Sequence, residues 1–414
     1  MSISTFASAQ PRRAASIGVW FLGIGETVIW ACIFYVFAAM LLTWEQNLGW
    51  GKTDLTLGLT LAILSAALFS PLAGRLIDAG HGRRVLGFGA FTGAVGLAAL
   101  SQAETVTVYM GAWLVMGTAQ AFCLYDPCFS VVTRAKGADA RPSITKITLM
   151  AGFASTLSFL SAAALIDATD WRTTALVFAA AAAFVAAPML YFGASLLEGS
   201  AGEAVKPVPK AENRAALLAA MKKPQFWMIG IAFPIMALNH GILLNHIMPL
   251  LAEKNISATT AVLIASTIGP MQVSGRIVLT LLGNRVASMQ VAVFAFGGVV
   301  IAAMLLMFAG LSPAFAFGFA VFQGGSYGVT SIIKPAITAD FLGRTGFGAI
   351  AGWLALPYLV GFAFAPYIGS LIWGIGGYDL VIPVTAGFAV LGVLCMLGLM
   401  ASGRPRAIKP TGGA

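Results

Sequence analysis

Gly74-Arg75-Leu76-Ile77-Asp78-Ala79-Gly80-His81-Gly82-Arg83-Arg84-Val85 is a short polar stretch between two long apolar runs. A chain leaving one apolar run and entering another within so few residues must turn tightly there. A partial second copy starts 201 residues later: Gly275-Arg276-Ile277-Val278 repeats Gly74-Arg75-Leu76-Ile77, and Gly283, Arg285 and Val286 repeat Gly82, Arg84 and Val85. One internal repeat at about half the chain length implies two similar halves, the way many membrane transporters are built.

Composition agrees. The 414 residues are 59% hydrophobic and 9% charged, with a mean hydropathy of +0.90, whereas soluble domains carry roughly 25% charged residues. A helix needs around 20 apolar residues to cross about 30 Å of hydrocarbon. The sequence supplies twelve such runs, at 17–42, 55–77, 85–101, 106–133, 143–166, 173–197, 225–251, 259–282, 289–310, 313–339, 346–373 and 380–400. The expected fold is an all-α polytopic membrane protein: twelve transmembrane helices in two pseudo-symmetric six-helix bundles, both termini cytoplasmic. The first run is too long for a signal-peptide core and is expected to stay as a spanning helix.

Orientation follows from the basic residues. With both termini inside, Arg12/Arg13, Arg83/Arg84, Arg134/Lys136/Arg141/Lys146, the Lys206 to Lys223 stretch, Arg285, Arg344 and Arg404/Arg406/Lys409 all lie on the cytoplasmic side, and Lys52, Arg172 and Lys254 alone lie outside. That asymmetry obeys the positive-inside rule. The net charge of +9 therefore fits anionic lipid headgroups, not nucleic acid. The polar connection from Glu198 to Lys223, with Pro207 and Pro209, reads as a linker (198–223) between an N-terminal bundle (1–197) and a C-terminal bundle (224–414). Within it, Asn213–Lys222 suggests a short amphipathic helix on the membrane surface. No soluble enzyme or receptor module is expected.

The 74–85 stretch resembles the loop signature of the major facilitator superfamily, in which a glycine, a helix-ending aspartate and a basic cluster join the second and third helices. Asp78 and Gly82 stand one residue further apart than in the family pattern, and Leu279 replaces the aspartate in the second copy. The resemblance implies a secondary transporter of the cell inner membrane, working as a monomer without a cofactor, driven by protons or a counter-substrate. It also implies a gate formed by Asp78, Arg83 and Arg84 that breaks and re-forms with each cycle.

Polar groups at membrane depth are costly and become functional candidates. Glu26 lies about nine residues into the first run, roughly 14 Å deep at 1.5 Å per residue. Trp30 follows one turn on and Tyr35 beyond it. A carboxyl there suits a proton carrier, the alternative being a structural hydrogen bond. Asp126, before Pro127 in the fourth run, reads as an ion-pair partner or a second coupling group. His240 in the seventh run is a third titratable candidate, or a neutral residue facing a cavity.

Gln272 and Arg276 stand four apart, on one helical face. Arg276 resembles the eighth-helix arginine of the monocarboxylate and oxalate/formate branches of the superfamily, which pairs with a substrate carboxylate. Gln272 stands where the eukaryotic monocarboxylate carriers have an aspartate, and Gly25-Glu26-Thr27 replaces their aspartate-glycine signature. The alternative for Arg276 is a loop anchor. Tyr35, Asn239, Gln323, Tyr327 and Tyr358 complete the expected substrate-binding set, and Lys334 is expected to snorkel from the tenth run.

The pairs Asn239-His240 and Asn245-His246 are six residues apart, off the spacing of two metal ligands on one face, so no metal site is expected. Cys32, Cys123 and Cys128 fall in the first and fourth runs, and soft thiols there would suit a trivalent metalloid. Cys123 and Cys128 are turned about 140° from each other on a helix, and membrane cysteines also serve as small apolar fillers. The sequence therefore leads to a small organic anion, monocarboxylate-like, as substrate. Its alternative is efflux of a toxic compound such as arsenite, antimonite or a drug. Neither the proline-rich fifth-helix pattern nor the fourth-helix arginine of drug–proton antiporters stands at the corresponding places. Nucleophile–base pairs, nucleotide P-loops and dinucleotide fingerprints are also missing from the sequence.

Overall fold

A computed structural model describes residues 3–137, 140–199, 210–282, 285–343 and 347–403, with side chains described from residue 14 onward except at 78, 141, 210–213 and 347–349. The side chains of Arg12, Arg13, Asp78, Arg141, Lys206, Pro207, Pro209, Gly283, Arg344, Arg404, Arg406 and Lys409 fall outside that description. The described residues are helical throughout, with no strand among them.

Ten helices among them are long and apolar enough to cross a membrane. Nine are α1 (Ala14–Leu48), α2 (Lys52–Ile77), α3 (Gly82–Ser101), α4 (Val106–Lys136), α5 (Pro142–Ala168), α6 (Trp171–Glu198), α7 (Pro224–Asn245), α8 (Ala258–Leu282) and α9 (Ser288–Met307). The helix α10 (Pro313–Leu342) is 30 residues long, but its Gln323-Gly324-Gly325-Ser326-Tyr327-Gly328 segment dilutes its apolar character. The last, α11 (Phe347–Ala401), has 55 residues. At 1.5 Å per residue a straight helix of that length would reach about 80 Å, more than twice the hydrocarbon thickness. It turns at Gly376 and Gly377, where Gly377 has φ +64° and ψ −166°, a conformation closed to residues with a Cβ.

Several helices overrun the apolar runs read from the sequence. α1 continues to Leu48 because its last turns bury Trp44 completely, and α4 continues to Lys136. The linker helix spans Lys210–Met221. Its Leu217 and Ala220 join an apolar cluster with Phe226, Phe341 and Met396, so it docks on protein through that face.

Lipid is as apolar as a leucine side chain, so helix association in a membrane relies on close packing through small residues. A methyl on Gly117 would overlap the backbone of Ala62, one on Gly275 the backbone of Gly325, and one on Gly328 the backbone of Gln272. These contacts press α4 against α2 and α10 against α8. Helices α1–α6 pack mainly on one another, as do α7–α11; the two sets meet chiefly where α2 touches α11 and α5 touches α8.

Both meetings hold one face of the molecule shut. Thr56 donates to the Ser370 hydroxyl at 3.0 Å, and Thr156 to the Ser266 carbonyl at 2.7 Å. The Lys52 ammonium lies 3.6 Å from the Trp373 ring centroid and 4.8 Å from that of Tyr378, with Glu45 at 3.4 Å. Glu253 fixes this cage, accepting from Trp373 Nε1 at 3.0 Å and from the Tyr378 backbone N–H at 2.9 Å. Lys254 pairs with Asp379 beside it.

Candidate functional site: an aromatic cavity around Arg276

Three interruptions of regular helix shape the space between the two sets. In α1 a π-helical turn at Ala31–Tyr35 turns Phe34 and Tyr35 toward the interior. A π turn releases main-chain carbonyls from the α ladder. Ser158 donates to the Ala31 carbonyl at 2.9 Å, and Gln120 to the Ile33 carbonyl at 3.1 Å. In α4 the chain extends at Leu124 (φ −84°, ψ −166°). Pro127 explains the break: its ring cannot pack against the carbonyl four residues back and it has no N–H to donate. A new helical segment, Tyr125–Lys136, thus begins beside the cavity, with Asp126 in its first turn. In α5 the helix lapses between Ala151 and Ala154, placing Ala151 and Gly152 on the cavity wall. Pro234, Pro270, Pro335, Pro357 and Pro366, by contrast, lie within helices that run through them.

The resulting cavity has a volume of about 350 Å³ and takes its walls from both sets of helices. Trp30, Tyr35, Asp126, His240, Gln272, Arg276, Tyr327 and Tyr358 all line it. Arg276 is its central cation. Nε donates to the Gly328 carbonyl at 2.9 Å and a terminal nitrogen to the Thr148 carbonyl at 3.0 Å. One anchor is on α10 and the other on α5, so the guanidinium ties the two sets together through main-chain atoms alone. Among the described residues no carboxylate pairs with it. The equivalent of Arg276 in the first copy, Arg75, is exposed and donates to the carbonyl of Pro71 in its own helix at 3.2 Å. The same motif thus serves as a helix-end contact in one half and a cavity cation in the other.

A polar layer lies behind the rings. Tyr327 and Tyr358 share a 2.7 Å hydrogen bond between their hydroxyls. His240 stacks on Tyr327, with centroids 3.5 Å apart and planes 9° from parallel. Gln323 donates to Asn239 Oδ1 at 3.1 Å and lies 3.4 Å from His240 Nδ1, while Asn239 donates to the Thr385 carbonyl at 2.8 Å. Asn239 and Gln323 are buried and support the wall without lining it. Lys334 does not simply snorkel away: its ammonium sits 4.1 Å from the Tyr358 ring centroid. His246 belongs elsewhere, clamped between the Tyr378 hydroxyl and the Pro366 carbonyl at 2.8 Å each.

Glu26 is fully buried and does not line the cavity. Its Oε2 accepts from Trp30 Nε1 at 3.0 Å, and Oε1 makes no hydrogen bond of ordinary length among the described residues. Because Trp30 does line the cavity, its indole is a direct link between that space and the carboxyl. Asp126 is exposed to the cavity and forms no ion pair among the described residues, which departs from the structural pairing expected of it. Cys32, Cys123 and Cys128 are all buried and none lines the cavity. Among the described residues no group of three His, Cys, Asp or Glu side chains is placed to hold a metal.

Of the expected gate residues, the Asp78 side chain lies outside the described set, and Arg83 and Arg84 stand apart from the cavity. The Arg83 guanidinium donates to the Ser195 hydroxyl at 3.4 Å, and its backbone N–H to Glu198 at 3.2 Å, both within the first six helices. Arg84 is exposed. Arg134 caps the end of α2 by donating to the Ile77 carbonyl at 2.7 Å. Sequence reasoning passed over Phe34, Tyr125 and Phe362 as cavity-lining residues. Tyr125 was signalled by its place beside Asp126-Pro127, and Phe362 by its place one turn beyond Tyr358.

A bundle of membrane-length helices enclosing a central cavity between two similar halves is the architecture of a polytopic membrane transporter. Residues 15–333 match the sequence profile of the Major Facilitator Superfamily, and the chain belongs to that superfamily. That superfamily is one of membrane transporters, and the long apolar helices make this chain a multi-pass membrane protein. A relative, the uncharacterized MFS-type transporter YhjX of Escherichia coli (strain K12), is 25% identical over 182 residues, covering 43% of this chain and 44% of its own length. The human organic anion transporter MFSD10 (TETRAN) superposes with a TM-score of 0.61 at 14% identity, covering 93% of this chain and 99% of its own. The nucleoside transporter NupG does so with a TM-score of 0.70 at 12% identity, covering the same 93% and 99%. At those identities the likeness is one of fold.

Proposed function

We propose that the chain is a proton-coupled secondary transporter of the cell inner membrane that moves a small organic anion by alternating access. Its twelve spans form two pseudo-symmetric six-helix bundles, 1–197 and 224–414, joined by the 198–223 linker, with both termini cytoplasmic and the monomer as working unit. The distribution of basic residues and the two-fold repeat of the Gly74 and Gly275 stretches support this arrangement.

The observation that carries the substrate reading is the state of Arg276. A guanidinium on the cavity wall, tied only to two neutral carbonyls, keeps a full positive charge and free N–H donors for a ligand. Its planar fork matches a carboxylate. With Lys52, Trp373 and Tyr378 packed on the opposite face, the described conformation corresponds to the inward-facing form, and anion release loosens the Arg276 bridge as the bundles rock. The proton resides on Glu26, whose carboxyl the Trp30 indole holds beside the cavity, with Asp126 and His240 as exchange groups on the wall. Asp78, Arg83 and Arg84 belong to the cytoplasmic closure of the opposite state.

Counterflow in proteoliposomes tests this, with labelled pyruvate, oxalate and arsenite offered separately to wild type and Arg276→Ala. Exchange of an organic acid that disappears in Arg276→Ala is the expected result. Arsenite movement that survives Arg276→Ala but fails in Cys32, Cys123 or Cys128 variants would overturn the carboxylate reading in favour of an exporter. Glu26→Gln is expected to abolish gradient-driven accumulation and to leave counterflow intact.

A further inference from the structure

The cavity is mismatched to the smallest anions that Arg276 could hold. At about 350 Å³ it falls within the size range of pockets that enclose drug-sized ligands. A two- or three-carbon acid on the guanidinium would leave most of that space as water against an apolar wall. Trp30, Phe34, Tyr35, Tyr125, Tyr358 and Phe362 contribute rings to that wall. The rings also brace one another, which fixes their orientation before any ligand arrives. Trp30 lies 4.9 Å from Phe34 and 4.8 Å from Tyr125 between centroids, and Phe34 stacks on Phe362 across the two halves at 5.8 Å. Trp30, Tyr35, Tyr125, Tyr358 and Phe362 all remain partly exposed. Partly exposed rings beside a guanidinium that no carboxylate pairs with among the described residues are complementary to a molecule with a flat π body and one acid group.

We infer that the transported anion is an aryl carboxylate, its acid on Arg276 and its ring packed against the Trp30, Phe34 and Phe362 side of the cavity. This rests on the carboxylate reading of Arg276 and narrows it. The Tyr327–Tyr358 hydroxyl pair forms the opposite side, where His240 already covers one face of Tyr327. Because Phe34 and Phe362 come from opposite halves, a ring stacked near them touches both, and so couples occupancy to the relation between the halves.

The test is isothermal titration calorimetry on the full chain in detergent with four probes: phenylpyruvate, pyruvate, benzoate and benzyl alcohol. Phenylpyruvate is expected to bind on the order of tenfold to hundredfold more tightly than pyruvate, the gain of burying one phenyl ring. Benzoate is expected to bind and uncharged benzyl alcohol not to bind. Phe362→Leu keeps an apolar side chain but removes a ring, so it should shrink the phenylpyruvate/pyruvate ratio. Arg276→Ala should abolish binding of all three acids, with a preserved melting transition showing that the variants fold. Pyruvate binding as tightly as phenylpyruvate overturns the aryl inference and leaves the carboxylate reading standing. Benzyl alcohol binding as well as benzoate, or no binding by any acid, overturns both.

Discussion

Methionine at position 52 should weaken the closed face while leaving the fold intact. Lys52 is only 5% exposed and its ammonium lies 3.6 Å from the Trp373 centroid and 4.8 Å from that of Tyr378. A desolvated cation–π contact is worth about 2 kcal/mol. Methionine keeps the apolar stem in place and removes the charge; the Glu45 partner, 26% exposed, then turns to solvent without becoming a buried orphan. The conformational balance should therefore shift by about 2 kcal/mol, roughly 30-fold at 1.4 kcal/mol per decade. The reporter is Ser370→Cys, which lies under the cage where Thr56 donates to Ser370. A Cys395→Ala background removes the one native cysteine that is not fully buried. A polar maleimide added to the detergent-solubilised protein should label this cysteine about 30-fold faster with Lys52→Met. Lys52→Arg, which keeps a cation over the rings, should label at nearly the parent rate. Equal labelling in Lys52→Met and the parent, at unchanged melting temperature, would refute the claim that the cage holds this face shut.

Three other changes test other parts of the argument. Gly328→Ala places a methyl against the Gln272 backbone and forces α10 off α8, costing about 1–3 kcal/mol; its thermal transition should fall and acid binding weaken with it, whereas Gly111→Ala, which meets nothing within 4 Å, should do neither. His246→Leu leaves the Tyr378 hydroxyl and the Pro366 carbonyl without the partner they now share. Stranding such buried groups costs about 1–3 kcal/mol, to be read as a lower melting temperature with unchanged ligand affinity. Asp170 caps the first turn of α6, accepting from the Arg172 and Thr173 backbone N–H groups at 2.7 and 2.9 Å. The Thr173 backbone N–H, then its hydroxyl, hold this carboxyl below its ordinary range. Its capping contribution is thus present above that range and is lost as pH falls through the lowered value. Hydrogen exchange at the start of α6 should be faster in Asp170→Ala at neutral pH, and the difference should close on acidification.

The membrane class was legible because hydrocarbon demands long apolar runs and little else competes with that signal. Helix ends were not, since residues such as Trp44 continue a helix by packing where hydropathy has already fallen. Gln272 and Arg276 could be placed on one face from their spacing alone, and both line the cavity. Glu26 was legible as a buried acid, but its position behind Trp30 depends on how α1 is rotated. The sequence does not report that rotation, and beyond Trp30 the π turn at Ala31–Tyr35 offsets every side chain after it. Asp126 could be read as an ion-pair partner or a coupling group, and the sequence did not report that the break at Leu124 re-aims the following turn into the cavity. Phe34 and Phe362 went unnoticed because a phenylalanine in a membrane helix looks the same whether it faces lipid, protein or ligand.

Arg276 is held at Gly328 and Thr148 by carbonyl oxygens that every amino acid carries. No side-chain exchange at either position deletes an acceptor. A search for residues that change in step with Arg276 would therefore return nothing at Thr148, and at 328 only a preference for the smallest residue. The contact that ties the two halves together leaves almost no written trace, and a comparison of sequences would pass over it.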